Sequence, residues 1–441
     1  MLHRAIAFAG AVSAAFLLAS SSLAQAPAAP QVATIIHAGR LLADPATGRV
    51  LSQQSILVGR DGKIISIEAG YVTRDGAQVI DESSRFVLPG FADCHVHLTS
   101  QLGPNQIVEG VTQTASDQAL FGANNARITV QAGFTTVADL GADPDSIFAL
   151  RDAINQGWVP GPLIIAAGAI ITPTGGHGDT NGYNPEVNHL LASPGDCNGA
   201  DDCRRAVRAM VQRGANIIKF VATGGVLSNT AAGVGQQFTQ DEMNAIVQTA
   251  HSLGRRAVAH AHGADGINGA LRAGVDAIEH GSYLDNDSVA LFHRMPHTYL
   301  VPTLEAGWWV GQLAERGGTL TPAQTDKART VSVAIAGMIR RAHAANIPIA
   351  FGTDTGVSPH GQNAKEFELL VQEGGYTPLQ SIQFATVAAA DHLGLTGTIG
   401  RIAPGYSADI VGVDGDPTSD VTVLQHGVHF VMARGTAVRA D

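Results

Sequence analysis

The sequence predicts an α/β protein: a (β/α)8 TIM barrel with a small β-sandwich domain built from both chain ends. Three observations predict it. Apolar β-like runs alternate with stretches of helical periodicity through the middle of the chain, the pattern of a parallel sheet covered by helices. Eight such runs can be counted, the number that closes a barrel. Both ends of the chain instead carry short alternating strands punctuated by turn residues. With 441 residues, 45% of them hydrophobic and 15% charged, the chain can bury a large core. Its length suits a barrel of about 250 residues plus a smaller unit. A doubly wound open sheet is the alternative, but no Gly-x-Gly-x-x-Gly turn follows the first strand.

Residues 1–26 read as a secretory signal peptide. Met1-Leu-His-Arg4 gives a positive start, 5–18 a largely apolar run, and Ala24-Gln-Ala26 a small-x-small cleavage site. The run is shorter than the ~20 residues that a membrane span requires. A periplasmic or secreted protein with no membrane partner is therefore expected. Residues 27–88 hold a Pro-Ala-Ala-Pro leader and then strands at 34–39, 54–58 and 63–67, joined by turns that favour hairpins. Residues 397–441 supply the counterpart, with alternating runs at 408–413 and 429–432. The barrel is expected over 89–396. A net charge of −11 without a basic run argues against nucleic acid as a partner. Cys197 and Cys203 flank a turn-forming Asn-Gly-Ala-Asp-Asp, so an oxidising compartment would permit a local disulfide; two free thiols are the alternative. Cys94 reads as a buried small residue.

The opening barrel strand runs from Val87 to His97 and ends in His95-Val-His97. Alternate side chains of an extended chain share a side, so both imidazoles can face one point, as a first-row metal requires. Such pairs are also common as ordinary core or surface histidines. The later runs at 135–140, 163–167, 216–221, 257–262, 277–280, 299–303 and 347–354 place Lys219, His260, His280 and Asp354 at corresponding carboxyl ends, where barrel chemistry gathers. A bland account of each would have to hold at every site together. His177, in the loop Thr174-Gly-Gly-His-Gly178, is a candidate donor to a substrate carbonyl. His262 and His360 are candidates for a supporting shell. Trp308 and Trp309 could wall a substrate pocket, or pack under the barrel rim.

On these residues the chain resembles the amidohydrolase superfamily. His95-Val-His97, Lys219 in Ile-Ile-Lys, His260 in Ala-His-Ala-His, His280 in Ile-Glu-His-Gly and Asp354 in Gly-Thr-Asp match its motifs, and Gly397 to Asp409 matches its exit signature. The loops Gly224 to Ser228, Gly175-Gly-His177 and Ala261-His-Gly-Ala-Asp265 look most like the imidazolonepropionase-related metal-dependent carboxypeptidases. These include prolidase-like and ochratoxin-hydrolysing enzymes. The resemblance implies two zinc ions, manganese or cobalt being alternatives. His95, His97 and Asp354 would hold one, His260 and His280 the other, with carbamylated Lys219 between them. A buried lysine beside cations has a lowered pKa, and its neutral amine could add carbon dioxide. A metal-bridging hydroxide would attack the amide while Asp354 takes its proton and passes it to the leaving amine.

The expected activity is that of a zinc-dependent amidohydrolase or carboxypeptidase, cleaving an amide to a C-terminal amino acid in a dipeptide or N-acyl amino acid, including an ochratoxin A-like N-acyl phenylalanine. An esterase, lactonase or cyclic amidase on the same centre is the first alternative. A mononuclear deaminase leaves Lys219 unexplained, and a non-catalytic binding barrel would be signalled by missing ligands. The expected partners are a small amide or peptide and further copies of the chain as a homo-oligomer. Ala138 stands where many relatives carry arginine, and no residue stands out as a clamp for a substrate carboxylate.

Overall fold

The structure is a computed structural model that describes residues 31–229 and 233–441; the signal-peptide segment and the leader lie outside the described residues. The chain opens with β1 (Val32–Leu41), β2 (Leu51–Gly59), β3 (Ile64–Ala69) and β4 (Gln78–Pro89). β1, β2 and β3 pair antiparallel as hairpins, and β4 returns parallel to β1. The stretch 87–97, expected to be one strand, divides at Gly90: Val87 and Pro89 pair within the terminal sheet, and β5 (Phe91–Val96) begins the next layer. A Cβ at Gly90 would collide with the Thr135 side chain, so the chain crosses between sheets where only glycine fits.

β5 lies parallel to β6 (Phe134–Asp139), which lies parallel to β7 (Leu163–Ala166). β8 (Ile217–Val221), β9 (Arg256–Ala261), β10 (Ala277–His280) and β11 (Tyr299–Val301) form a second parallel arc. Every residue of β5, β6, β8 and β10 is buried, as parallel strands covered on both faces must be. Helices such as Gln240–Ser252 and Pro322–Ala344 intervene, each begun by a threonine capping box. Segment 347–354, expected as an eighth strand, makes single bridges instead. Leu300 meets Ile349 and Val96 meets Thr355, while Ile171 meets Phe220 across the gap between the two arcs. Pro348 lacks the N–H a ladder needs, and Asp354 takes a positive φ of 60°, so a regular strand cannot form there.

β12 (Ile410–Val413), β13 (Val428–Ala433) and β14 (Thr436–Ala440) bring the C-terminal chain back beside β4. Rather than two separate sheets of a sandwich, both ends share one continuous seven-stranded sheet in the order β14-β13-β12-β4-β1-β2-β3. Along β12 and β13 it is buried on both faces. Ile410, Phe430 and Met432 join Ile36, Ile56 and Val87 in a core of their own, and the alternate residues Val411, Val413 and Val431 turn into the main core beneath the helices. A further cluster draws Ala92, Cys94, Ala138, Ile217, Val258, Ala277 and Val301 from both parallel arcs against Ala389, Ala390 and Leu393. Cys94 is thus the buried small residue expected, and Cys197 is bonded to Cys203.

Candidate metal centre

The sequence-predicted ligands meet at the carboxyl ends of the parallel strands, in two groups of donors. His95, His97 and Asp354 form one; His260, His262 and His280 form the other. Asp354 Oδ1 lies 3.1 Å from His97 Nε2 and 3.4 Å from His95 Nε2. His280 Nε2 lies 3.0 Å from His260 Nδ1. The groups adjoin, with the His95 and His280 rings 5.2 Å apart, and Lys219 Nζ is 3.3 Å from His95 Nε2. His262, expected in a supporting shell, therefore belongs with the second group.

Each ring is held from behind. His95 Nδ1 meets Glu279 Oε2 at 2.8 Å, and His97 Nδ1 donates to the Gly141 carbonyl at 2.8 Å. His262 Nδ1 meets Ser282 Oγ and His280 Nδ1 meets Thr303 Oγ1, both at 2.7 Å. Such contacts fix a ring's tautomer and leave the opposite nitrogen for a ligand. The backbone is strained at the same places: His280, Thr303 and Asp354 adopt φ of 68°, 50° and 60°, which non-glycine residues sustain only where surroundings impose it.

Three carboxylates that the sequence reading passes over complete the support. Glu279 is the partner of His95. Asp93 accepts from the His95 and Thr353 amides and from Thr353 Oγ1 and Asn363 Nδ2, tying β5 to the segment that carries Asp354. Asp139 accepts from the Leu98 and Gly141 amides and so fixes the carbonyl that holds His97. Their signal was present: Asp93 lies two residues before His95, Glu279 one before His280, and Asp139 ends β6.

Burial dominates the electrostatics. It pushes His95, His260 and His280 well below the ordinary imidazole range and takes His177 and His262 down to about 3. It lowers Lys219 too, against the opposing pull of Glu279 and Asp354. The same desolvation raises Glu279 to about 8 and Asp93 and Asp139 to about 6. Asp354 Oδ1 is buried between the His95 and His97 imidazoles, and its contact with His97 keeps that ring above the ordinary imidazole range although burial opposes it. Imidazole nitrogens crowded around a buried carboxylate oxygen make a donor-rich pocket that could hold a cation.

The centre floors a cavity of about 580 Å³. His177 lines it, with its ring 4.2 Å from that of His260 and Nδ1 2.7 Å from Ser228 Oγ. His360 does not; its Nε2 donates to the Ser100 carbonyl at 2.9 Å and pins that loop instead. Trp308 and Trp309 also stay out of the wall. On the helix Leu304–Arg316 the residues facing the cavity are Ala306, Gly307 and Val310, and that spacing turns 308 and 309 away. Trp308 packs on the main core, and Trp309 on a smaller apolar cluster. The apolar part of the lining is mostly aliphatic, including Val226, Val331, Ile335 and Val357, with Phe121 adding an aromatic ring. Ala138, the departure from its relatives, is fully buried in the apolar cluster inside the arcs.

Comparison with known proteins identifies the family. The amidohydrolase family profile matches residues 86–438. Ochratoxinase of Aspergillus niger is 30% identical over 414 residues, which cover 89% of this chain and 83% of that protein. A solved Xaa-Pro dipeptidase with methionine bound in its active site is 36% identical, with a TM-score of 0.86 over 92% of this chain and 100% of the other. A prolidase complexed with N-methylphosphonate-L-proline is 29% identical, with a TM-score of 0.83 over 92% and 100%. The donors at the strand ends and these likenesses lead to one conclusion: the chain belongs to the amidohydrolase family.

Proposed function

We propose that this protein is an exported, binuclear metal-dependent amidohydrolase that frees a C-terminal amino acid from a dipeptide or N-acyl amino acid. The observation that carries the reading is the adjoining of the two donor groups beside a buried lysine. In this reading the two arcs and segment 347–355 make one (β/α)8 ring, as the bridges at Ile171, Ile349 and Thr355 support. The donor set suits zinc: imidazoles, a buried carboxylate and a desolvated amine. His95, His97 and Asp354 would hold one ion, His260 and His280 the other, and carbamylated Lys219 would stand between them. Bound there, the ions would supply Lewis acidity and an acidified water at neutral pH.

The chain's own groups do the rest. Lys219, its ammonium disfavoured by burial, presents a free amine; its nitrogen bonds to the carbon of carbon dioxide and releases a proton, leaving a carboxylate-like group. Asp354 takes a proton from the attacking water and delivers it to the leaving nitrogen. His177, kept neutral by burial and held through Nδ1 by Ser228, donates from its other nitrogen to the scissile carbonyl oxygen. The aliphatic wall receives the apolar part of the substrate and limits water. Amino-acid amides are supported by the names of the relatives: an ochratoxinase, an Xaa-Pro dipeptidase and a prolidase. The Cys197–Cys203 bridge supports an oxidising compartment.

The test is metal content together with hydrolysis of N-acyl amino acids, ochratoxin A and Xaa-Pro dipeptides, on wild type and Lys219→Ala. Two zinc ions per chain, and amide cleavage that disappears in the variant, are expected. One metal, or activity indifferent to Lys219, would overturn the binuclear reading; cleavage of esters or lactones alone would move the reaction to those bonds.

A further inference from the structure

We infer that Glu109 makes the outer part of the cavity a subsite for a cationic nitrogen, an ammonium or guanidinium carried by the substrate. The inference rests on the amide-hydrolase reading above and narrows its substrate class.

The helix Gln106–Thr112 follows β5 and is turned inside out. None of its residues is buried, and its apolar members Ile107, Val108 and Val111 are 48%, 59% and 52% exposed. Its polar side looks inward: Gln106, Glu109, Gly110 and then Gln113 line the cavity, a spacing that places them on one helical face. A surface helix ordinarily hides its apolar stripe, and departures from that pattern collect at functional sites. Tyr183 helps to hold this orientation, its hydroxyl donating to the Ile107 carbonyl at 2.6 Å.

Charge then identifies the ligand. Among the described residues lining the cavity, the aspartates, glutamates, lysines and arginines are Lys219, Asp354 and Glu109. The first two belong to the metal centre. Glu109 is half-buried, and among the described residues its carboxylate has no ion pair and no side-chain hydrogen bond. It shares the cavity lining with the aliphatic side chains of Val226, Val310 and Val331, and an unpaired carboxylate there favours an approaching cation through charge-assisted hydrogen bonds. Ammonium and guanidinium groups carry donors only, and the side-chain oxygens of Gln106, Gln113 and Gln118, which also line this region, can accept the remaining N–H groups. The cation has two possible sources, the free α-amino group of a dipeptide or a basic side chain.

The experiment compares kcat/KM of the metal-loaded enzyme within two substrate pairs. One pair is an Ala-Pro dipeptide against its N-acetyl form; the other is an N-acetyl dipeptide ending in arginine against one ending in citrulline. Calorimetry on the same enzyme adds a readout without turnover: affinity for alaninol against N-acetylalaninol, and for arginine against citrulline. In one of these pairs the cation should be preferred by about tenfold, the order expected of one partly desolvated charge-assisted hydrogen bond. The preference should vanish in Glu109→Gln and reverse in Glu109→Lys, and the responding pair identifies the source. Absence of preference in both pairs, or a preference that survives Glu109→Gln, would overturn the subsite. Should no amide be cleaved while the calorimetric preference still depends on Glu109, the hydrolase reading fails and the subsite stands.

Discussion

Ile217 and Lys219 stand two positions apart on β8 and face the same way, yet they belong to regions with opposite physics. Ile217 lies in the apolar cluster with Ala92, Val258, Ala277 and Val301, closed off by Ala389 and Leu393. Lys219, one step nearer the carboxyl end, enters a region of neutralised imidazoles, raised carboxylates and three residues at positive φ. The same contrast recurs on β9 between Val258 and His260. One end of the parallel strands is close-packed, and that packing supplies free energy against which the other end is held strained and desolvated. Fold and site should therefore be separable: destroying the site is expected to leave the chain folded, and weakening the fold to leave the candidate ligands in place.

The sharpest way to break the contrast is to extend the apolar end upward. In His260→Val, kcat/KM is expected to fall by at least about a thousandfold, some 4 kcal/mol of transition-state stabilisation. Half of the bound metal should go with it. The melting temperature of the metal-free variant should nevertheless be no lower than that of the metal-free wild type, because a buried, desolvated imidazole is replaced by a packable side chain. A large loss of stability in the metal-free state would mean that the histidine cluster is part of the core. Next in size is the converse change, Ile217→Ala, which should cost about 2–5 kcal/mol of unfolding free energy. Metal stoichiometry should be unchanged, as denaturant unfolding and metal analysis on one preparation would show.

The two ends were also unequally legible in the sequence. The candidate ligands could be picked out because a histidine or lysine within an apolar run is conspicuous, and strand-end position suggests a role for it. What held them was harder to see. Asp93, Asp139 and Glu279 act through hydrogen bonds to backbone amides or to a neighbouring ring, and nothing in a linear pattern separates such an acid from a solvated one. The irregular segment at 347–354 was announced by Pro348 yet read as a strand, because its apolar residues outweighed the proline. Trp308 and Trp309 read equally as a pocket wall or as packing under the barrel rim, and helical phase decides for packing, with Ala306 and Val310 facing the cavity. The inverted helix at 106–112 escaped for a related reason. Its apolar spacing suits burial, and only the fold reveals that the polar face is the one turned inward.

The remaining expected effect concerns pH, where the two ends should again differ. Glu366 is fully buried and accepts from the Leu304 and Glu305 amides at 3.0 and 2.7 Å. Burial raises its carboxyl from 4.5 to about 8, against the lowering effect of those two bonds. The folded protein therefore keeps a proton that the unfolded chain releases between these values. Its contribution to stability is complete below pH 4.5 and is lost as pH rises through about 8, with a slope of up to about 1.4 kcal/mol per pH unit. Glu366→Gln retains an acceptor for the helix amides and removes the proton. Melting temperature against pH for the metal-free protein should thus be flatter in Glu366→Gln than in wild type across that window. Ile217→Ala should lower the curve without changing its slope, since packing at the apolar end binds no protons. An unchanged slope in Glu366→Gln would mean that the two amide bonds keep the carboxylate ionised at neutral pH, and that helix capping outweighs desolvation at this position.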